Sequence, residues 1–260
     1  MKPVLEQQLG STKDTILSTI IPRYKYKIEI AKLPKELQIV LPYTASTLDK
    51  KLIFIKNSKV ACTSITHLLY YYSYNKPFKG NIHSDGLDFH QGLTWWSENK
   101  RLLENTQSII FSIVRDPQQR CLSAFNNFFI YQNNNTAKKH LKAIRHFGFK
   151  PNNPIERNFN IFLDYIEESF NIDPFFTDRH WRAQHINLGI GTIAYSHIGK
   201  IESLAKDMNI IYSLADINPN KLPELTKKHN ATKKLEFSPS LQQQERIKRI
   251  YKRDYEIFNY

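Results

Sequence analysis

Residues 53–69 read IFIKNSKVACTSITHLL, and the fold follows from this stretch. Its first three residues are apolar and strand-like. Lys56, Asn57 and Ser58 stop that run, and a polar turn of small residues carries the chain to Ser64. Beyond it, Ile65, Leu68, Leu69 and Tyr72 recur at helical spacing on one face. A strand, a lysine-bearing turn and a helix place first-turn N–H groups and a cation where a phosphate-like anion sits. The turn lacks the glycines of the Walker A sequence GxxxxGK[ST], so magnesium–ATP is not its natural ligand. Lys59 instead precedes the hydroxyls of Thr63 and Ser64, with Val60, Ala61 and Cys62 between. That order suits a terminal phosphosulfate or phosphate. The same residues also suit an ordinary strand-to-helix turn.

A second strand end follows the same pattern. Residues 108–114 (SIIFSIV) are almost continuously apolar, as expected of a central parallel strand buried on both faces. Arg115, Asp116 and Pro117 come next, with Asp116 suited to the N-cap and Pro117 to the first helical turn. The helix turns Leu122, Phe125 and Phe129 inward, and Arg120 and Ser123 share a neighbouring face. An arginine at the C-terminal end of a parallel strand stands where open α/β sheets bind ligands. Taken singly, Arg115 also suits pairing with Asp116, and Ser123 suits packing. Taken together, two strand ends that each offer a cation and a hydroxyl suit a ligand with phosphate-type groups at both ends, such as a 3′,5′-bisphosphate nucleotide.

Composition sets the outer limits. The chain has 260 residues, 41% hydrophobic and 23% charged, which is ordinary for a globular protein with a substantial core. A net charge of +13 predicts an anionic partner without choosing among nucleotide, nucleic acid, acidic glycan and membrane surface. The two cysteines, Cys62 and Cys121, are too few for a disulfide scaffold, and no Cys/His cluster has zinc spacing. No metal is therefore expected. No run approaches the roughly 20 apolar residues of a membrane span, and the first residues lack the layout of a signal peptide. The expectation is a cytoplasmic protein without an integral membrane segment.

Elsewhere the sequence offers elements rather than chemistry. Residues 1–50 read as an extension packed on a core domain of residues 51–260, with a short helix at 14–21 and an alternating strand at 24–30 (YKYKIEI). Residues 76–100 are rich in turns, including one at Asp85-Gly86, and hold His83 and His90. An Asn run at 133–135 marks a loop, and a basic helix follows it. Residues 156–170 are amphipathic through Phe159, Phe162, Leu163 and Ile166. Residues 195–198 read as a strand and 203–213 as a helix. Ser240 with Gln243 forms a capping box for a last helix that buries Ile247, Ile250, Tyr251 and Phe258.

These segments carry a resemblance. KNSKVACTS resembles the 5′-phosphosulfate loop of the carbohydrate sulfotransferases related to the HNK-1 and chondroitin 4-O enzymes, the sulfotransferase family 2 type. RDPQQRCLSAFNNFF is similar to their 3′-phosphate motif, RDPxxRLxSAF. DRHWRAQ resembles D-x-HW-x-PQ, with Ala183 in place of proline. IGKIESLAKD resembles IGxxExLxxD, which singles out Glu202 and Asp207, and YKRDYEIFNY resembles the family's C-terminal ending. The five pieces occur in family order from residue 51 to the last residue. Ser64 stands where the family has Asn, and Thr66 and His67 where it often has Lys and Arg. The family's paired cysteines after HWxPQ and its membrane anchor are missing.

What the resemblance implies is an α/β fold: a P-loop-like central parallel sheet flanked by helices, a three-layer sandwich in a single domain. It also implies PAPS as sulfuryl donor and a carbohydrate hydroxyl as acceptor. Lys59, Val60, Ala61, Cys62, Thr63 and Ser64 would bind the 5′-phosphosulfate, and Arg115 and Ser123 the 3′-phosphate. Lys59 would also stabilise charge on the bridging oxygen. The base that takes the acceptor proton is expected at His83, in the loop between the two phosphate motifs, with His90 second. His180 and Trp181 would line the acceptor or cofactor pocket, although Trp181 also suits a buried anchor. A lipid-linked acceptor would bring peripheral membrane contact. Two other readings compete: a P-loop kinase, which needs a Walker A loop, and a basic nucleic-acid-binding protein, which needs exposed aromatics among its basic residues.

Overall fold

In the computed structural model, residues 2–83, 89–105, 107–132, 134, 136–223 and 237–260 are described. The turn expected at Asp85-Gly86 and most of the Asn run lie outside them. In chain order the elements are α1 (Thr12–Ser18), α2 (Pro22–Ala31), α3 (Lys35–Val40), β1 (Thr44–Ser46), β2 (Leu52–Ile55), α4 (Cys62–Tyr74), α5 (Trp96–Leu103), β3 (Ile109–Val114), α6 (Pro117–Phe125), α7 (Ala137–Ile144), α8 (Ile155–Ile172), α9 (Gln184–Asn187), β4 (His197–Lys200), α10 (Leu204–Leu214), α11 (Leu241–Ile250) and α12 (Lys252–Phe258). They fall into two compact units. One comprises Met1–Gln7, Arg115–His185 and Ala231–Tyr260; the other comprises Gln8–Val114 and Ile186–Asn230.

The second unit contains the sheet, in the order β1-β2-β3-β4. β2, β3 and β4 run parallel, and β1 pairs antiparallel to β2. β3 is central and buried, as its apolar run requires. Side chains alternate across the strands. On one face Leu52, Phe54, Phe111 and Ile113 join Ile65, Leu68 and Leu69 of α4 and Met208 and Ile211 of α10 in a single apolar cluster. On the other face Ser46 Oγ hydrogen-bonds Asn99 of α5 at 3.0 Å. Helix, sheet and helix thus form the three layers the sequence implied. Close packing of α10 on β4 needs a glycine, because a Cβ on Gly199 would lie 2.6 Å from Asp207 Cβ.

One expected strand is a helix. Residues 24–30 lie in α2, which opens on Pro22 at its first turn. Proline there presets the helical φ and loses no hydrogen bond. Lys27 Nζ then lies 4.6 Å from the Tyr24 ring and 3.3 Å from Asp14. The first contact is the three-residue spacing of a helix, and it overrides the alternating pattern.

The other unit is built on aromatic packing. Rings of Phe128, Phe129, His140, Phe162 and Tyr165 surround Trp181, which is fully buried, and Phe125 and Phe159 extend the cluster through Phe162. α8 supplies the amphipathic face expected of it. α11 starts with the Ser240–Gln243 capping box, both hydrogen bonds of which are present.

Candidate functional site

The turn after β2 is held by backbone strain, core packing and polar ties. Lys59 and Ala61 both adopt positive φ, +70° and +61°. For residues other than glycine this costs about 1–2 kcal/mol each. Val60 between them is fully buried in the apolar cluster. Burying such a side chain contributes about 1.5–3 kcal/mol, enough to offset most of that strain. Asn57 donates to the Ile113 carbonyl at 3.2 Å and accepts from Asn187 at 3.1 Å, fixing the start of the turn to β3.

α4 begins at once, with Ala61 as N-cap and no side-chain cap. Its first intrahelical bond runs from Ile65 N–H to the Ala61 carbonyl at 3.1 Å. The N–H groups of Cys62, Thr63 and Ser64 precede that bond and carry the positive end of the helix dipole. No Asp or Glu occurs between Asp49 and Asp85. Ammonium, two hydroxyls and first-turn N–H groups are the donor set of an anion site, and they fit the phosphosulfate end of PAPS.

His83 belongs to this neighbourhood. Its Nε2 lies 2.9 Å from Thr63 Oγ1. Its loop is held by Gln91, which donates to the Ile82 carbonyl at 2.6 Å and accepts from Lys56 Nζ. His90 does not join it. The His90 ring stacks on Trp95 at 3.8 Å, and burial lowers its pKa, with Glu98 and Lys50 acting in opposite senses. His90 thus packs among Trp95, Lys50 and Glu98 beside β1, whereas His83 meets Thr63.

In the other unit, Arg115 is fixed through its backbone. Its N–H donates to Gln184 Oε1 at 3.0 Å, and its carbonyl accepts from Gln184 Nε2 at 2.8 Å. Asp116 caps α6 by accepting from Gln119 N–H, and Pro117 opens the helix. Ser123 lies half-buried on the same helix. Arg120 is nearly fully buried and donates to the carbonyls of Arg179 and Arg182, both at 2.8 Å. Burial lowers its pKa, while Tyr251 and Asp254 favour the charge. Fully buried Asp254 accepts from the N–H groups of Gln184 at 2.7 Å and His185 at 2.9 Å. The Tyr251 hydroxyl donates to the Trp181 carbonyl at 2.7 Å. The DRHWRAQ segment is therefore pinned from α6 and α12 at once.

Of the two residues assigned to an acceptor or cofactor pocket, His180 is only partly buried, and its Nδ1 lies 2.7 Å from Asp178. Trp181 is enclosed by aromatic rings and presents no surface to a sugar, so its role is the anchor. Burial pushes the Cys121 thiol up to about 12, and both cysteines are free.

Sequence reasoning missed Arg120, Gln184, Asp254 and His140. A signal was present for two of them. His140 lies on the apolar face of α7 with Ala137, Ala143 and Ile144, and Asp254 lies with Tyr251 and Phe258. A polar residue at such a position needs a buried partner. Among the described residues no group of three or more His, Cys, Asp or Glu could hold a metal ion, and no helix is long and apolar enough to cross a membrane.

Comparison with known proteins agrees with this geometry. Residues 45–260 match the model of the Sulfotransferase family. The chain is 25% identical over 236 residues to carbohydrate sulfotransferase 11 of Mus musculus and to that of Rattus norvegicus. It is 24% identical over 231 residues to the Danio rerio protein. Each alignment covers 82% of this chain, which spans 65% of the length of these relatives. No solved structure matches the chain significantly.

Proposed function

We propose, because this chain belongs to the sulfotransferase family, that it transfers a sulfuryl group from PAPS to a hydroxyl of a carbohydrate. The observation that carries this reading is the left-handed turn at Lys59 and Ala61 leading into the uncapped α4, with His83 on the Thr63 hydroxyl. PAPS, when bound, supplies the sulfuryl group and leaves as adenosine 3′,5′-bisphosphate. Lys59, Thr63, Ser64 and the first-turn N–H groups hold its 5′ end, and Arg115 and Ser123 hold its 3′-phosphate.

Sulfuryl transfer resembles phosphoryl transfer in needing alignment and charge stabilisation more than covalent machinery. Lys59 places an ammonium where negative charge develops on the bridging oxygen. His83 takes the proton of the acceptor hydroxyl, and the Thr63 hydroxyl sets the direction of its Nε2. His180 lines the acceptor side. The acceptor is a cell-surface polysaccharide, glycolipid or other glycoside, and a lipid-linked acceptor would add peripheral membrane contact. A cytoplasmic site of action belongs to the same proposal, supported by the two free thiols.

Thermal denaturation with added ligand tests the reading. Adenosine 3′,5′-bisphosphate at 100 times its Kd stabilises the protein by about 2.7 kcal/mol through mass action. Magnesium–ATP and duplex DNA give smaller shifts. No shift with the bisphosphate, or a larger one with magnesium–ATP, would refute the assignment.

A further inference from the structure

The turn that joins α1 to α2 exposes three isoleucines. Ile16 is 65%, Ile20 80% and Ile21 38% accessible. Single exposed apolar side chains are ordinary, but these three are neighbours. Ile16 and Ile20 lie one helical turn apart. The N–H groups of Ile20 and Ile21 both bond the Leu17 carbonyl, at 3.2 and 2.9 Å, so the chain keeps its helical curl past the end of α1.

The rim of this patch is basic. Lys13, Arg23 and Lys25 are exposed, and Lys13 precedes Ile16 by the three residues that place both on one face. Asp14 is the one acid among residues 11–28, and it is buried against Lys27 at 3.3 Å. The next acid, Glu29, pairs with Lys32 at 3.1 Å. α2 also turns the positive end of its dipole toward the patch. The hydroxyls here are satisfied within the chain. Thr15 donates to the Ser11 carbonyl at 3.3 Å, Ser18 to that of Thr15 at 2.6 Å and Thr19 to that of Ile16 at 2.8 Å. Groups bonded in this way cost less to take out of water. Pro22 has no N–H to strand there. Beside Ile20, Tyr26 and Trp96 line a groove of about 520 Å³. Such rings settle at the headgroup level of a bilayer.

We propose that the α1–α2 turn is a membrane-contact surface: Ile16, Ile20 and Ile21 enter the interface of a bilayer, and Lys13, Arg23 and Lys25 hold its anionic headgroups. An apolar tip inside a basic rim is the pattern of interfacial binding. A second copy of this chain fits the patch less well, because it would bring like charges together. The contact does not depend on the transfer reading. It would concentrate the chain at a surface where lipid-linked glycans lie.

Co-sedimentation of the full chain with vesicles tests the proposal. Vesicles of phosphatidylcholine with about one-third phosphatidylserine should pellet the protein, those of phosphatidylcholine alone much less, and raised salt should release it. Ile20→Asp should lower the partition coefficient about tenfold or more, and Arg23→Ala about fivefold. Leu241→Asp, at an equally exposed position in α11, should leave it unchanged. Melting midpoints equal to that of the unaltered chain show that the variants are folded. Failure to pellet with the anionic vesicles, undiminished binding by Ile20→Asp and Arg23→Ala, or an equal loss in Leu241→Asp would each overturn the proposal. A concentration-dependent dimer that Ile20→Asp dissolves would assign the patch to a second copy and overturn it too. The assay contains neither sulfuryl donor nor acceptor, so its failure and the failure of the transfer reading are distinct results.

Discussion

After β2 the chain turns through two left-handed residues into a helix with no side-chain cap. After β3 it turns through Asp116 and Pro117 into a helix that is capped and opened by proline. The first turn keeps lysine, hydroxyls and helix N–H groups together and ties its start through Asn57. The second commits its polar groups to neighbours: Arg120 to two carbonyls, and the Arg115 backbone to Gln184. One strand end carries the groups proposed to hold the phosphosulfate. At the other, the arginine side chain rides on a backbone fixed from several sides. Similar local sequences thus reach their geometry by different means, one through backbone strain and core packing, the other through buried polar ties.

The largest effect should come from the first turn. Lys59→Ala is expected to lower kcat about 10²–10³-fold in a donor-radiolabel assay, the usual consequence of losing a charge aimed at a developing anion. Turnover equal to the unaltered protein would remove Lys59 from the chemistry. Arg120→Ala should act on folding instead. Two buried carbonyls lose their donor, a loss of about 3 kcal/mol visible as a lower urea midpoint. An unchanged midpoint would mean that the second turn is not held as described.

Arg115→Ala and Ser123→Ala come next. Each is expected to raise donor KM about tenfold, the worth of one hydrogen bond to a charged group, with little change in stability. If donor KM moves in neither, the 3′-phosphate is held elsewhere. The smallest effect concerns acid. Burial opposes ionisation of Asp178, but His180 and His140 hold its pKa well below the ordinary 3.8. The folded state therefore binds fewer protons than the unfolded state. The stabilisation is complete above 3.8 and is lost as pH falls through the lowered value. Asp178→Asn should flatten the decline in stability between about pH 4 and 2; an unaltered decline would show that Asp178 does not supply it.

Much of this was legible in the sequence because it was local. Strand runs, the turn at Lys59, the Asp116–Pro117 helix start and the Ser240 capping box each depend on neighbours within a few residues. The strand misread at 24–30 turned on one local fact, Pro22, that outweighs alternation. The buried polar ties were harder to see because they join residues far apart. Asp254 meets Gln184 across 70 positions, and Asp178 meets His140 across 38. No spacing rule connects such pairs. A polar residue on an apolar stripe tells that a partner exists without telling which one. The phosphosulfate-type loop and His83 stood closer to the legible limit, since Thr63 and His83 are 20 apart in a single unit.

The ties of Glu6 also bear on the order in which the molecule is made. Glu6 pairs with Arg182 and donates its N–H to the Phe176 carbonyl at 2.6 Å, and Val4 reaches Tyr165. Its unit closes only when Tyr251, just before α12, and Asp254 within it are in place. Contacts of such sequence separation form late and slowly. Val4 and Glu6 precede their partners in α8 and the DRHWRAQ segment by 161 positions or more, and that segment in turn is tied to Asp254 of α12. The sheet, by contrast, has all its strands once residue 200 is out. Synthesis should therefore pass through a state in which the turn at Lys59 is folded and the RDPQQR turn is not, with Val4 and Glu6 waiting for α12.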